Sequence, residues 1–126
     1  MSLTPSPIEL RARALTDLRM GLPVVIDLPE PLLICASETL TQERLNSLRA
    51  LGEVHAVVSK WRADTLKISA YDGDIARFLV PLSENARWCH AVADPILDMS
   101  YPMKGPFQAV RDGNAQGQRA AVVLLK

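Results

Sequence analysis

Two carboxylates in a proline-rich turn are the first residues whose types suit chemistry. Asp27 and Glu30 lie in the stretch "DLPEP", between the apolar runs "LPVVID" and "LLICAS". Turns between strands over a buried sheet are favoured places for chemistry, because a rigid scaffold holds them while their backbone stays free. Two prolines stiffen this turn. The turn is either a functional loop or a plain connection between two strands.

A basic cluster follows the third apolar run, "VHAVVS". Its members are Lys60, Arg62 and Lys67. Ligands of α/β proteins collect where strands end, so this cluster is a candidate phosphate site. The competing interpretation is a solvated helix face.

Aspartates in the next turn offer a second candidate site. Asp72 and Asp74 flank Gly73 in "YDGD", and they can either chelate a cation or pair with Arg77. The alternative is a polar turn built around the glycine. Metal binding would need further ligands, which the pattern does not identify.

The remaining reactive side chains have structural explanations. Glu38 in "SETLT" can bind a ligand at the end of the sheet or stabilise a helix start through the helix dipole. Cys89 and His90 are neighbours in a predicted helix, where adjacent side chains point about 100° apart, so they do not form a catalytic dyad. Cys35 and Cys89 fit neither a zinc site nor a disulfide framework and are predicted to be core residues in a reducing cytosol. No catalytic residue and no metal site is predicted.

Composition excludes several classes of function. The 126 residues include 14 Lys plus Arg and 14 Asp plus Glu, so the formal net charge is zero and no strongly electrostatic partner is implied. Aromatic residues make up 5% of the chain, which leaves no stacking platform for nucleic acid. The start, "MSLTPSPIEL", lacks a signal-peptide pattern, and no apolar run is long enough to span a membrane. We expect one soluble, cytoplasmic domain that binds neither nucleic acid nor membrane.

Periodicity predicts alternating helices and strands. The runs "LPVVID" and "LLICAS" show almost no polar alternation, which is typical of strands covered on both faces. With "VHAVVS" and "IARFLVPL" they predict an α/β fold, a mixed sheet of about four or more strands with helices on its faces. The predicted helices are 7–20 after a capping box of Ser6 and Glu9, 42–51 after Thr41, a short helix through Leu66 after Ser59, and a helix after Ser83 that ends before Pro95.

The chain differs in composition and periodicity from residue 94 onward. Residues 94–117 carry three prolines and three glycines with little periodicity, which predicts a long loop or linker after an α/β domain over residues 1–93. A loop of this length is seldom idle, so Met103, Lys104 and Phe107 are candidate interface residues. Residues 118–126 begin a helix whose apolar residues run to the last positions, and we expect it to continue into a further domain.

These motifs resemble two related enzyme families. The stretch "ALTDLRMGLPVVIDLPEPLLICASETLTQERLNSLRALGEVHAVVSKWRADTLKI" resembles the opening of a 3,4-dihydroxy-2-butanone 4-phosphate synthase, where a helix ending in "R.G.PVV" leads to a strand, an acidic loop, a strand ending in "A.E..T" and a helix. Over the whole chain the sequence is similar to the amino-terminal region of alphaproteobacterial-type GTP cyclohydrolase II proteins, where a degenerate domain of this kind precedes the catalytic one. The stretches "RADTLK", "AYDGDIAR", "ADPILDMSYPMKGPF" and "RAAVVLLK" carry that second resemblance.

The resemblance implies a non-catalytic role in riboflavin biosynthesis. The synthase family has a glutamate-rich loop at this position, and the resemblance implies that its carboxylates would hold Mg²⁺ against a sugar phosphate. In "DLPEP" the only carboxylates are Asp27 and Glu30, and no glycine lets a phosphate approach the backbone closely. The distal motifs of the synthase also have no counterpart here, so synthase activity is not expected. The cyclohydrolase family opens a guanine ring with a zinc-bound water held by three clustered cysteines, which two isolated cysteines cannot supply. Zinc is therefore expected only in a separate catalytic domain, and no cofactor is expected in this chain.

Three functions follow as expectations, one of which is a structural scaffold that only stabilises the neighbouring domain. The first is an accessory domain, docking or regulatory, that contacts the catalytic cyclohydrolase domain in cis or a second subunit, a homodimer being one such arrangement. The alternative is a stand-alone phosphosugar-binding module or enzyme of the dihydroxybutanone phosphate synthase type, which would use Glu38 and the basic residues at the strand end.

Overall fold

The structure, a computed structural model, describes residues 3–27, 30–101, 104–111 and 113–125. Within them, five α-helices and four strands are mixed along the chain, which confirms the predicted α/β class. Short 3₁₀ helices cover Ser37–Thr39 and Pro95–Asp98. The other elements are α1 (Pro7–Arg19), β1 (Val24–Asp27), β2 (Pro31–Ile34), α2 (Gln42–Leu51), β3 (His55–Ser59), α3 (Lys60–Leu66), β4 (Ile75–Leu79), α4 (Ala86–Ala93) and α5 (Gln116–Leu125).

The predicted starts of the first three helices are confirmed by their caps. Ser6 and Glu9 form the capping box, with the Ser6 hydroxyl accepting from the Glu9 amide at 3.2 Å and the Ser6 amide donating to the Glu9 carboxylate at 3.0 Å. Thr41 accepts at 3.1 Å from the amide three residues later, and Ser59 does so at 3.3 Å. Each side chain satisfies a backbone donor that its helix leaves unpaired.

The predicted cap of α4 at Ser83 is wrong. Asn85 caps this helix, because its side chain accepts from the Trp88 amide at 3.2 Å. Ser83 lies instead in a turn that is closed by a hydrogen bond of 3.0 Å from the Glu84 amide to the Pro81 carbonyl. Serine and asparagine are equally good caps, so the local pattern could not distinguish the two positions.

The four strands form two separate two-stranded sheets in the described part of the chain, so the prediction of one sheet with four or more strands is wrong. β1 pairs antiparallel with β2, and β3 pairs antiparallel with β4. α3 begins directly after β3, and Ser59 at the end of β3 lies opposite Ile75 at the start of β4. The end of β3 and the start of β4 are therefore neighbours, as in a hairpin with a helical insert. A parallel pair of strands would need a crossover connection instead.

The first hairpin is covered on one face only, which corrects the prediction that both faces are buried. Exposure alternates along β1 and β2. Val25 and Leu33 lie opposite each other and remain 61% and 43% exposed. Because neighbouring side chains in a strand point to opposite faces, this hairpin turns an apolar face outward.

The hydrophobic core lies between the β3–β4 sheet and the helices α2 and α4. Leu45, Phe78 and Trp88 are fully buried. The rings of Phe78 and Trp88 meet edge to face with their centroids 6.1 Å apart, a favourable aromatic geometry. Full burial of a large apolar side chain contributes about 1.5–3 kcal/mol, so this cluster is a main source of stability.

Residues 104–111, predicted as part of a long loop or linker, pack against this core. Two backbone hydrogen bonds, of 2.9 and 2.8 Å, join Gln108 and Val110 to β4. The Phe107 ring lies 5.3 Å from the ring of Phe78, centroid to centroid. α5 also begins inside the range predicted as linker. Much of the described part of this range is therefore a structural part of the domain.

Candidate functional site

Arg62, Asp98 and Lys104 form an ion-pair triad at the end of α4. The Arg62 guanidinium donates to both Asp98 oxygens, at 3.0 and 2.9 Å, and to the carbonyls of Val92 and Ala91, at 2.7 and 3.1 Å. The Lys104 ammonium lies 2.8 Å from Asp98 Oδ1. Hydrogen bonds from Arg62 and from Lys104 hold the pKa of Asp98 well below its usual range, so this carboxylate stays charged.

The predicted basic cluster does not come together as a phosphate site. Arg62 is only 5% exposed and is engaged by the triad and the end of α4. Lys60 is exposed and pairs with Asp64 at 2.9 Å along α3. Lys67 lies just beyond α3 in a left-handed backbone conformation, with φ 62°. The three side chains therefore have three different surroundings.

The turn "YDGD" is held by two arginines. Arg77 of β4 is buried and binds the Asp72 carboxylate through two hydrogen bonds of 2.7 and 3.1 Å. Arg119 of α5 binds Asp74, with both carboxylate oxygens 2.8 Å from Nε, and donates to the Asp72 carbonyl at 3.0 Å. Both aspartates thus take part in ion pairs that join the turn to β4 and α5. Sequence reasoning considered the pair with Arg77 but missed Arg119.

The predicted acidic residues of the first third lie on the surface. Glu38 is exposed in a 3₁₀ helix. Asp27 ends β1 and Glu30 precedes β2, both exposed, while Leu28 and Pro29 between them lie outside the described residues. Among the residues that the structure describes, no three His, Cys, Asp or Glu side chains are grouped to hold a metal ion.

Two of the predicted interface residues face the interior of the domain. Lys104 is 8% exposed, and its carbonyl accepts from the indole of Trp88 at 3.0 Å. Phe107 lies 5.3 Å from Phe78 and 6.1 Å from Trp88, between ring centroids. Met103 lies outside the described residues. Lys104 and Phe107 anchor their segment to its own domain, which leaves them poorly placed for a partner.

The two cysteines are free thiols in apolar surroundings. Cys89 is 5% exposed and Cys35 is half-buried. Burial raises the pKa of both thiols, and raises that of Cys89 to about 11. Because the thiolate is the nucleophile and the metal ligand, a protonated thiol of this kind supplies neither function at neutral pH.

An apolar cleft of about 490 Å³ lies between the two sheets. Consecutive residues of 31–35 and of 53–57 line it, and since side chains alternate along a strand, the free edges of β2 and β3 face this space. α5 contacts both sheets and lines the cleft with residues at helical spacing. Leu33, Leu51 and Leu125 line it from β2, α2 and α5, and they remain 43%, 76% and 36% exposed. Sequence reasoning missed this cleft, because its walls are distant in the chain.

A second cavity, of about 890 Å³, is polar and lies between residues 65–71 and 104–111. Arg111 and Tyr71 both line it, and the Arg111 guanidinium lies 4.2 Å from the centre of the Tyr71 ring and donates to the Tyr71 hydroxyl at 2.9 Å. Asp98 and Lys104 of the triad also line this cavity. Among the described residues, none lines both the cavity and the apolar cleft.

Comparisons with known proteins were made at three levels. No protein-family model, no curated protein and no solved structure matches this chain. Within residues 3–27, 30–101, 104–111 and 113–125, no helix combines the length and apolar character needed to cross a bilayer.

Proposed function

We propose that this chain is a non-catalytic accessory domain of a GTP cyclohydrolase II-like protein in riboflavin biosynthesis. It docks in the cytoplasm onto the catalytic cyclohydrolase domain, in cis or on a second subunit. The observation that carries the proposal is the apolar cleft with its exposed leucines from three different elements. Contiguous exposed apolar surface of this kind marks interaction sites. The resemblance in sequence supplies the identity of the partner.

The cleft offers a partner two kinds of contact. Its leucines present apolar surface, which is stabilised when another protein excludes water from it. The free edges of β2 and β3 present backbone donors and acceptors, since each strand pairs on one side only in the described residues. An extended segment of a partner can add itself to such an edge through main-chain hydrogen bonds. The cleft therefore replaces Lys104 and Phe107 as the docking surface.

The buried charged residues support a structural role. Arg62, Arg77 and Lys104 each bind a carboxylate of the same domain, at 2.9, 2.7 and 2.8 Å. A general acid or base works best with a pKa near the working pH, but the buried thiol of Cys89 has a pKa of about 11. Arg62, Arg77 and Lys104 thus help to hold the fold together.

The zinc of the cyclohydrolase reaction does not fit the residues of this chain. That ion needs clustered thiolates, whereas Cys89 is a core thiol and Cys35 lies half-buried beside the core. The described part of the chain groups no three ligands around a common point. The ring-opening chemistry is accordingly assigned to the partner domain.

The second candidate function is a phosphosugar-binding module of the synthase type. The residues predicted to bind its ligand do not lie together. Glu38 and Lys60 are exposed on separate elements, and Arg62 is buried in its triad. This alternative needs Mg²⁺ at "DLPEP", so it predicts that Mg²⁺ and a sugar phosphate together raise the melting temperature, whereas sugar phosphate alone does not. The docking function predicts no dependence on Mg²⁺.

The test of the proposed function is GTP ring opening by the protein whose reading frame contains this chain, or by a mixture with a separately encoded catalytic subunit. Leu51→Ser removes a cleft leucine that is 76% exposed, and Leu82→Ser removes a leucine that is 86% exposed and lies outside the cleft. We expect the first variant to change the rate several-fold and the second to leave it unchanged. Equal rates for both variants and wild type would show that docking through the cleft is wrong.

A further inference from the structure

The polar cavity between residues 65–71 and 104–111 carries an excess of positive charge. Among the residues that the structure describes, three cations, Lys67, Lys104 and Arg111, line it together with one carboxylate, that of Asp98. The described part of the lining thus has a net charge of +2, although the chain as a whole is neutral. A cleft lined by one sign of charge focuses the electric field and concentrates ligands of the opposite sign.

The single negative charge of Asp98 does not balance the two positive charges of Arg62 and Lys104, which both bind it. Arg62 binds it through two hydrogen bonds and Lys104 through one, of 2.8 Å. Both cations are buried, at 5% and 8% exposure, so the triad holds a net positive charge away from water. An uncompensated buried charge is costly. An anion in the cavity would offset that cost at Lys104, which has three N–H donors and, among the described residues, Asp98 as its hydrogen-bond partner.

Lys67 and Arg111 belong to the two different segments that line the cavity. Both are exposed, and neither forms an ion pair with a carboxylate in the described part of the chain. Arg111 is already oriented, since it stacks on the Tyr71 ring at 4.2 Å and donates to its hydroxyl at 2.9 Å. A guanidinium has five donors in a fixed plane, so several stay available for two oxygens of one ligand.

We propose that this cavity binds a phosphate monoester, with Lys67, Lys104 and Arg111 contacting the phosphate. A phosphate monoester carries a charge of about −1.5 to −2 at neutral pH, which matches the cavity lining. The volume of about 890 Å³ lies within the range of small-molecule sites, so the esterified group also fits. The site is independent of docking, because the cavity and the apolar cleft have no described residue in common.

The test is a calorimetric titration at low ionic strength without divalent metal. The probes are inorganic phosphate, ribose 5-phosphate and adenosine 5′-monophosphate, with ribose and adenosine as uncharged controls. We expect the phosphates to bind and the uncharged compounds not to bind, with amide NMR shifts confined to residues 65–71, 98 and 104–111. The preferred ester distinguishes a sugar phosphate from a nucleotide. Absence of phosphate binding overturns the proposal.

Matched variants locate the site. Lys67→Gln and Arg111→Gln each remove one exposed cation from the cavity, and each should weaken phosphate binding about tenfold, the effect of one charge-assisted hydrogen bond. Lys60→Gln removes an exposed cation of α3 that does not line the cavity, and it should leave the affinity unchanged. Circular dichroism verifies that each variant is folded. An equal loss in all three variants would overturn the proposal, because it would show attraction by overall charge alone.

Discussion

Arg62 and Asp98 are joined by two hydrogen bonds, of 3.0 and 2.9 Å, across 36 positions of sequence. Arg62 also donates to two carbonyls at the end of α4, so one side chain connects α3, α4 and the 3₁₀ helix Pro95–Asp98. A helix end carries unpaired carbonyls and a partial negative charge, which a guanidinium satisfies. Arg62, which was assigned to a basic cluster from the sequence, thus joins these three helices to one another.

Loss of Arg62 should destabilise the fold. Arg62→Met leaves two carbonyls and part of Asp98 without donors, and we expect the free energy of unfolding to fall by roughly 2–3 kcal/mol. Lys60→Met, two positions away on the surface, should change it by no more than about 0.5 kcal/mol. Urea denaturation of both variants measures the difference. Similar values for the two would contradict the role given to Arg62.

The contribution of Asp98 to the free energy of unfolding should depend on pH. Its pKa is lowered in the folded state, chiefly by Arg62, so its contribution is complete above the unfolded-state pKa of about 3.9 and is lost as the pH falls through the folded-state pKa. Asp98→Asn lacks this contribution at every pH. The difference in free energy of unfolding between wild type and variant should therefore be largest near neutral pH and decrease below about pH 4. Urea titrations across that range measure it, and a difference independent of pH would contradict the assignment.

Phe107 should stabilise the domain itself. Phe107→Ala removes a half-buried ring that packs on Phe78 and Trp88, and we expect a loss of about 2–3 kcal/mol together with a change in Trp88 fluorescence. The control is Ile96→Ala, since Ile96 is 84% exposed. A Phe107→Ala variant as stable as wild type but deficient in partner binding would instead support the interface role predicted from sequence.

Cys89 should be unreactive until the protein unfolds. It is 5% exposed and its pKa is raised to about 11 by burial, so little thiolate is present or accessible at about pH 8. A Cys35→Ala variant retains Cys89 alone, and its reaction with a disulfide reagent should be slow in native buffer and fast in urea. The Cys89→Ala variant, which retains the half-buried Cys35, should react faster in native buffer. Equal native rates would show that α4 opens readily.

Local features of this fold are readable from sequence because their causes are local. The caps at Ser6, Thr41 and Ser59 each depend on a side chain and an amide three residues later, so a short motif contains the whole interaction. The same reasoning failed at Ser83, where a turn and a second good cap lie two residues apart. Competing local signals of equal strength need the tertiary structure to decide between them.

The sheet arrangement and the sites depend on pairings that no local pattern contains. An apolar run indicates a strand but determines neither its pairing partner nor the burial of both its faces, so it cannot distinguish two two-stranded sheets from a single sheet. Likewise, Arg119 reaches Asp74 across 45 positions and Arg111 reaches Tyr71 across 40. The sequence therefore indicates which residues carry charge, while the fold decides whether that charge is paired or faces a cavity.

The most direct measurement of the docking function is a calorimetric titration of this chain into a separately expressed GTP cyclohydrolase II catalytic domain. We expect saturable binding with a negative change in heat capacity, because apolar surface is buried. Leu51→Ser should weaken binding at least about tenfold, since burying an exposed leucine contributes about 1.5–3 kcal/mol, and Leu82→Ser should not. Labelling of Cys35, which lines the cleft, should slow in the complex. No binding, or binding that Leu51→Ser leaves unchanged, would contradict the account.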